Sequence, residues 1–176
     1  MSERAGEPGG PRSRRRFIKG VLGGGIGASL AGAAGGSVPS AQGGGTIRSF
    51  DHVAVPMRNT DAMVRFYRAL GFTVNEGPQV CFAHFGDQKI NFHQPAMWQR
   101  EGFTLRASAA EPPCGDFCFV WDGTDATLRA MLDGAGAVVI EGPVPRPGGR
   151  AGGTGTGTSL YIRDPDDNLL EFIRYS

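Results

Sequence analysis

Two neighbouring stretches decide how this chain folds: Phe50-Asp51-His52-Val53-Ala54-Val55, then Thr60-Asp61-Ala62-Met63-Val64-Arg65-Phe66-Tyr67-Arg68-Ala69-Leu70. The first closes a strand expected over 47–55. In the second, Thr60 can cap a helix from Asp61 to about Leu70, whose apolar Met63, Phe66, Tyr67 and Leu70 recur at helical spacing. Residues 72–75, 80–85 and 89–93 then read as three strands, the last two joined by a tight Gly86-Asp87 turn. The same order returns downstream. Residues 116–121 read as a strand, and Thr124 can cap a helix over 125–132 that Gly134 and Gly136 end. Residues 137–140, 159–163 and 168–174 read as strands, with Asp164-Pro165-Asp166-Asp167 as the last turn.

The two halves keep a register. His52 and Asp116 are 64 residues apart, as are Asp61 and Asp125, Ala62 and Ala126, and Arg65 and Arg129. His93 and Glu171 are 78 apart, and the 14 extra residues fit a Gly/Pro-rich insertion around Pro143–Gly157. Either half alone is too small to bury its apolar faces. The expectation is an α+β fold: two βαβββ modules, 46–94 and 114–176, forming one curved, barrel-like mixed sheet with helices outside and a pocket inside. Residues 95–113 link them.

Alternation along the strands sets apolar rows against rows that each hold an ionisable group. His52 and Ala54 oppose Val53 and Val55; Lys89, Asn91 and His93 oppose Ile90 and Phe92. Asp116, Cys118 and Val120 oppose Phe117, Phe119 and Trp121; Leu169, Glu171 and Ile173 oppose Leu170 and Phe172. If the second rows converge, two imidazoles and two carboxylates meet inside a concave sheet, and a divalent first-row cation is the partner that makes this tolerable. Taken singly, each is equally a solvated strand residue, and Glu171 could simply pair with Arg163 or Arg174. His84, beside Phe85 before the turn, reads as surface.

Composition separates the first quarter from the rest. The chain has 176 residues, 40% hydrophobic and 20% charged, which suffices for one domain with a core. Of the 29 glycines, 14 lie in residues 1–45, and residues 1–20 carry six Arg or Lys against two Glu. The remainder is slightly acidic, which argues against nucleic-acid binding. Arg12-Ser13-Arg14-Arg15-Arg16-Phe17-Ile18-Lys19, an uncharged run from Gly20 to Ala34, and the small residues Ser37–Gln42 are the three parts of an export signal, or else a basic tail for an acidic partner. Ser13–Lys19 resembles the twin-arginine signal. That implies export of a folded, possibly metal-loaded protein by the twin-arginine machinery to the periplasm or beyond, with an uncleaved membrane anchor left open. Cys81, Cys114 and Cys118 do not make a complete disulfide set.

Phe50–Val55, Phe66-Tyr67-Arg68-Ala69-Leu70-Gly71-Phe72 and Arg163–Glu171 resemble the vicinal oxygen chelate superfamily, which includes glyoxalase I, fosfomycin-resistance proteins and extradiol dioxygenases. Gly86–His93 and Glu141–Arg146 resemble its glyoxalase-like, virulence-protein branch. The resemblance covers 46–175. It implies one divalent metal ion (Ni, Co, Zn, Mn or Fe) held by His52, His93, Asp116 and Glu171, with Asp116 departing from the His or Gln of many relatives. It also implies pairing of modules in a homodimer. The chemistry expected is that of a metal-dependent lyase or isomerase. The substrate is small, possibly anionic, and chelates the metal through vicinal oxygens, with Glu171 or Asp116 as the proton acceptor. The alternatives are an extradiol-type Fe(II) dioxygenase and a non-catalytic ligand-binding or resistance protein. Lys89, Asn91, Tyr161 and Arg163 on the pocket-facing rows are the candidate substrate contacts, with Arg146 and Arg150 in a Gly-rich loop expected to act as a lid.

Overall fold

The computed structural model describes residues 46–176, so the export-signal reading of residues 1–45 lies outside the described residues. The described chain runs β1 (His52–Pro56), α1 (Thr60–Ala69), β2 (Thr73–Glu76), β3 (Val80–Phe85), β4 (Gln88–His93), α2 (Pro95–Trp98), β5 (Asp116–Val120), α3 (Asp125–Gly134), β6 (Glu141–Pro147), α4 (Arg150–Gly153), β7 (Thr156–Arg163) and β8 (Leu169–Arg174). Two four-stranded mixed sheets result, ordered β1-β4-β3-β2 and β5-β8-β7-β6. In each, the first and last strands of the module pair in parallel and the others are antiparallel. The α+β architecture of two βαβββ modules with helices outside is therefore the one expected, built as two curved sheets that do not close into one. No described helix is long and apolar enough to cross a membrane.

The apolar rows build the core. Met63, Tyr67 and Leu70 on α1, spaced i, i+4 and i+7, are buried, as are Val55, Ile90 and Phe92 of its own sheet. Leu128 and Leu132 of α3 are buried with Leu160, Ile162, Leu170 and Phe172 of the second sheet. The cores join through aromatic edges: Phe119 of β5 meets Phe72 at 5.1 Å and Phe85 at 5.2 Å between ring centroids.

Three expectations need correction. Thr60 does not cap α1; Asn59 holds that position, and its side chain is drawn away to Asp166. Thr124 does cap α3, accepting from the Thr127 amide at 3.1 Å. Residues 137–140 are not a strand. The sixth strand is Glu141–Pro147, within the segment read as an insertion, because Val144–Pro147 finds paired partners in Thr156–Ser159. The Gly-rich loop is thus a β-hairpin extension with a short tip. Its bulge falls at Gly142, at φ 113°, where a Cβ would run into the Ser159 carbonyl and Leu160.

The Asp164–Asn168 turn does more than reverse the chain. Asp164, Asp166 and Asn168 are all buried. The Asp164 carboxylate accepts from the Asp166 and Asn168 amides at 3.0 and 2.9 Å, from Asn168 Nδ2 at 2.8 Å, and from the Tyr67 hydroxyl of the other module at 3.0 Å. Asp167 supplies the φ of +72° that the turn needs, which Asp tolerates. Burial raises the Asp164 carboxyl above its usual range, against the lowering effect of its hydrogen bonds. A raised folded-state pKa contributes stability that is complete below the unfolded carboxyl's pKa and is lost as pH rises through the folded value. Tyr67→Phe removes one donor to the carboxylate and raises it further. Its destabilisation relative to wild type is therefore expected to grow from about pH 4 upward. Urea unfolding across that range, with no pH dependence in the difference, would count against this.

Candidate functional site

Cross-strand partners share a face, so the registers place every candidate side chain. In the first sheet His52 lies opposite Lys89, Ala54 opposite Asn91 and Pro56 opposite His93. His93 is thus four residues along the strands from His52, about 13 Å at strand rise. The two imidazoles of this sheet therefore stand at different levels along it. His93 is buried, its ring 5.7 Å from that of Phe103, and burial lowers its pKa. In the second sheet Asp116 lies opposite Leu169 and Cys118 opposite Glu171. With the first residues of β1 and β5 aligned, His52 on Asp116, the counterpart of Glu171 is Asn91 and not His93. The spacing of 78 was off by two, because the inserted residues do not sit where the sequence register put them.

The expected four-ligand cluster does not form within one chain. Among the described residues no three His, Cys, Asp or Glu side chains come close enough to hold a metal ion. What forms is two halves, one on each polar face.

The half on the second sheet centres on Glu171. It accepts a short hydrogen bond from the buried Ser159 hydroxyl, and Tyr161 and Cys118 are its cross-strand partners on β7 and β5. A carboxylate has about four acceptor sites. Ser159 uses one of them, leaving the others for a cation or a substrate proton. The Cys118 thiol is pushed up to about 12 by burial, then by Glu171 and Asp116, so it stays protonated. Arg146 Nε donates to the Tyr161 hydroxyl at 3.0 Å, while its Nη2 is held by Glu141 at 2.6 Å. Arg163 pairs with Asp167 at 3.3 Å and Arg174 bonds the Gly123 carbonyl, so the plain salt bridge considered for Glu171 is not made. Asp116 and Glu171 share a cavity of about 450 Å³ with Glu141, Arg146, Tyr161 and Arg163. All its walls come from the second module. Among the described residues Asp116 makes no side-chain hydrogen bond or ion pair. Arg150 stacks on Tyr175 at 4.3 Å and is not poised over this cavity.

The half on the first sheet holds His52, Lys89 and Asn91. His52 Nδ1 is 2.6 Å from Asp51 Oδ1, which orients the ring and holds the Asp51 carboxyl below its usual range. Asn91 Oδ1 is buried with no hydrogen-bond partner among the described residues. Such an atom costs about 1–3 kcal/mol unless something fills its need. His84, read as surface, lies opposite Lys89 on this same face. Ser159 and His84 were missed for one reason. Their signal was the period-two spacing with Tyr161 on β7 and with Phe82 on β3, visible only once those strands were paired.

A larger cleft of about 820 Å³ opens between the modules, walled by Phe50, Phe72, Phe85, Phe119, Trp121 and Phe172. Its size exceeds that of the Glu171 cavity, and Asp51, His84 and Cys118 also line it, but the smaller one brings the Asp116 and Glu171 carboxylates together with Tyr161 and Arg146.

Residues 49–172 match the Glyoxalase/Bleomycin resistance protein/Dioxygenase superfamily, and the chain belongs to it. It is similar to the glyoxalase domain-containing protein RDO1 of Mycosarcoma maydis, 37% identical over 131 residues, 74% of this chain and 70% of that one. It is likewise similar to virulence protein STM3117 of Salmonella typhimurium, 37% identical over 73% of this chain and 85% of that protein. The crystal structure of STM3117 superposes with a TM-score of 0.64 at 35% identity, covering 74% of this chain and 99% of that one. An integron cassette protein from Vibrio cholerae gives 0.64 at 32% identity, over 74% and 98%.

Proposed function

We propose that two copies of this chain form a divalent-metal-dependent lyase or isomerase, its site combining His52 and Asn91 of one copy with Glu171 of the other. The observation that carries this is the buried, partnerless Asn91 Oδ1, on the strand position that corresponds to Glu171. The donors fit a hard-to-borderline cation: one imidazole, one amide oxygen and one carboxylate with acceptor capacity to spare. Neither half suffices alone, and a second copy supplies the missing one. Exposed Phe50, Val120, Val138 and Ile140 give the facing surfaces apolar area to bury on pairing.

Bound there, the cation supplies Lewis-acid stabilisation of negative charge on two adjacent substrate oxygens. The chain's own residues do the rest. Ser159 holds the Glu171 carboxylate, Tyr161 and Cys118 flank it across the strands, and Arg146 fixes Tyr161. Asp116, in the same cavity and uncommitted, takes up the proton from the substrate carbon and returns it. His93 leaves the ligand set, which works against the extradiol-type Fe(II) dioxygenase, since that chemistry needs two imidazoles and a carboxylate on one ion. By the export signal read in residues 12–42, the protein acts in the periplasm or outside the cell. Glutathione conjugates are then poor candidates for its substrate.

The test is elemental analysis after reconstitution with Ni, Co, Zn, Mn and Fe. Wild type should load about one ion per chain, and Glu171→Gln should lose at least tenfold in affinity. Equal loading by the variant overturns the assignment.

A further inference from the structure

We propose that Lys89 and His84 receive the anionic group of the substrate, which makes the substrate a small carboxylate with an oxygen on the adjacent carbon, a 2-oxo or 2-hydroxy acid. The inference rests on the metal reading above and adds the substrate class.

The registers lay His52, Lys89 and His84 in one row across β1, β4 and β3, with Ala54, Asn91 and Phe82 in the next. Adjacent strands are about 4.8 Å apart, so Lys89 is one strand from His52 and His84 two. The Lys89 ammonium lies 4.9 Å from the centroid of Phe82, a ring in the Asn91 row, so the side chain leans toward that row. The His84 ring lies 6.4 Å from the same ring. Both polar heads therefore flank one aromatic surface beside the His52 and Asn91 half-site.

Charge accounting separates Lys89 from Arg146 and Arg163, the other cations expected at the substrate. Arg68, Arg129, Arg146 and Arg163 each have a carboxylate within 4.0 Å, namely Glu76, Asp125, Glu141 and Asp167. Lys89 has none among the described residues. Asp51, the acid whose carboxyl feels the Lys89 charge, is held by His52. Arg146 and Arg163, expected on sequence to meet an anion, are thus already paired, whereas Lys89, in the row of His52 and His84, has no carboxylate partner among the described residues. A half-buried ammonium beside a second positive centre calls for an anion. A carboxylate next to another oxygen answers both demands: two vicinal oxygens for the cation, and the remaining carboxylate oxygen for a charge-assisted bond from Lys89, with the His84 ring nitrogen as a further donor.

The test is calorimetric titration of the metal-loaded protein with two probes. Oxalate carries vicinal oxygens and anionic charge; maltol carries vicinal oxygens and no charge. In Lys89→Met oxalate binding should weaken about tenfold and in His84→Leu about threefold, with maltol affinity and metal content unchanged. Unchanged oxalate binding in Lys89→Met, an equal loss for both probes, or loss of metal from either variant overturns the proposal. A wild-type chain that loads no metal sinks the metal reading instead. Oxalate titrated into that metal-free protein at low ionic strength then decides the Lys89 inference by the same wild-type-to-variant ratio.

Discussion

On the shared-site proposal, mixing His52→Ala chains with Glu171→Gln chains should restore metal binding that neither variant has alone. Each homodimer of a single variant lacks one donor at both sites. In a mixed dimer, the intact His52 of one copy meets the intact Glu171 of the other, while the second site carries both defects. Statistical re-assortment of equal amounts gives half mixed dimers with one good site each, so metal content should recover to about a quarter of wild type. Elemental analysis after denaturation, co-refolding and removal of free metal reads it directly. A site built within one chain predicts no recovery at any mixing ratio, and that result would overturn the shared site. His93→Leu is the companion variant. With its ring four residues along the strands from His52, it should keep wild-type metal content, although the fourth-strand histidine looked like a ligand in the sequence.

Asp166→Ala should cost about 3–5 kcal/mol of stability without touching the polar faces. Asp166 is 2% exposed, and its carboxylate accepts from the Arg58 amide, from the Asn59 amide at 3.0 Å and from Asn59 Nδ2 at 2.7 Å. These are the donors at the mouth of α1, so one turn of the second module supplies the cap that α1 lacks from its own sequence. Truncation leaves the Arg58 and Asn59 amides at the junction of two modules without their acceptor. Asp166→Asn keeps one acceptor oxygen and should recover about half of the loss. The measurement is the urea midpoint at constant slope. A loss below about 1 kcal/mol would show that water replaces the carboxylate and that the turn does not clamp the modules.

Within the fold, local signals carried well wherever one period ran uninterrupted. The helix over 125–134, capped by Thr124, and the strands over 80–85 and 116–120 lie where composition and alternation put them. They failed where a distant partner decides. Val144-Pro145-Arg146-Pro147 has two prolines and reads as loop, yet it is an edge strand, because an edge tolerates missing donors on its outer side and β7 pairs the inner one. Likewise Thr60 is a good cap by type, but Asn59 is fixed there by Asp166, more than a hundred residues away.

The candidate site divides along the same line. Glu171, His52, Asp116, Asn91 and Tyr161 were legible as polar residues interrupting apolar strands, since alternation is a local property of the chain. Which of them share a level was not, because strand register is set by pairing across the sheet, and a slip of two residues leaves every face unchanged while moving a side chain by about 7 Å. That slip separates Asn91 from His93. The sequence alone therefore determined the repeat, the two-faced strands and the kinds of ligand on offer. Tertiary structure decided which rows those groups occupy, that Ser159, Tyr161 and Cys118 converge on Glu171, and that the two halves of the donor set lie on separate sheets. Those facts depend on contacts between segments far apart in the chain, which no local pattern encodes.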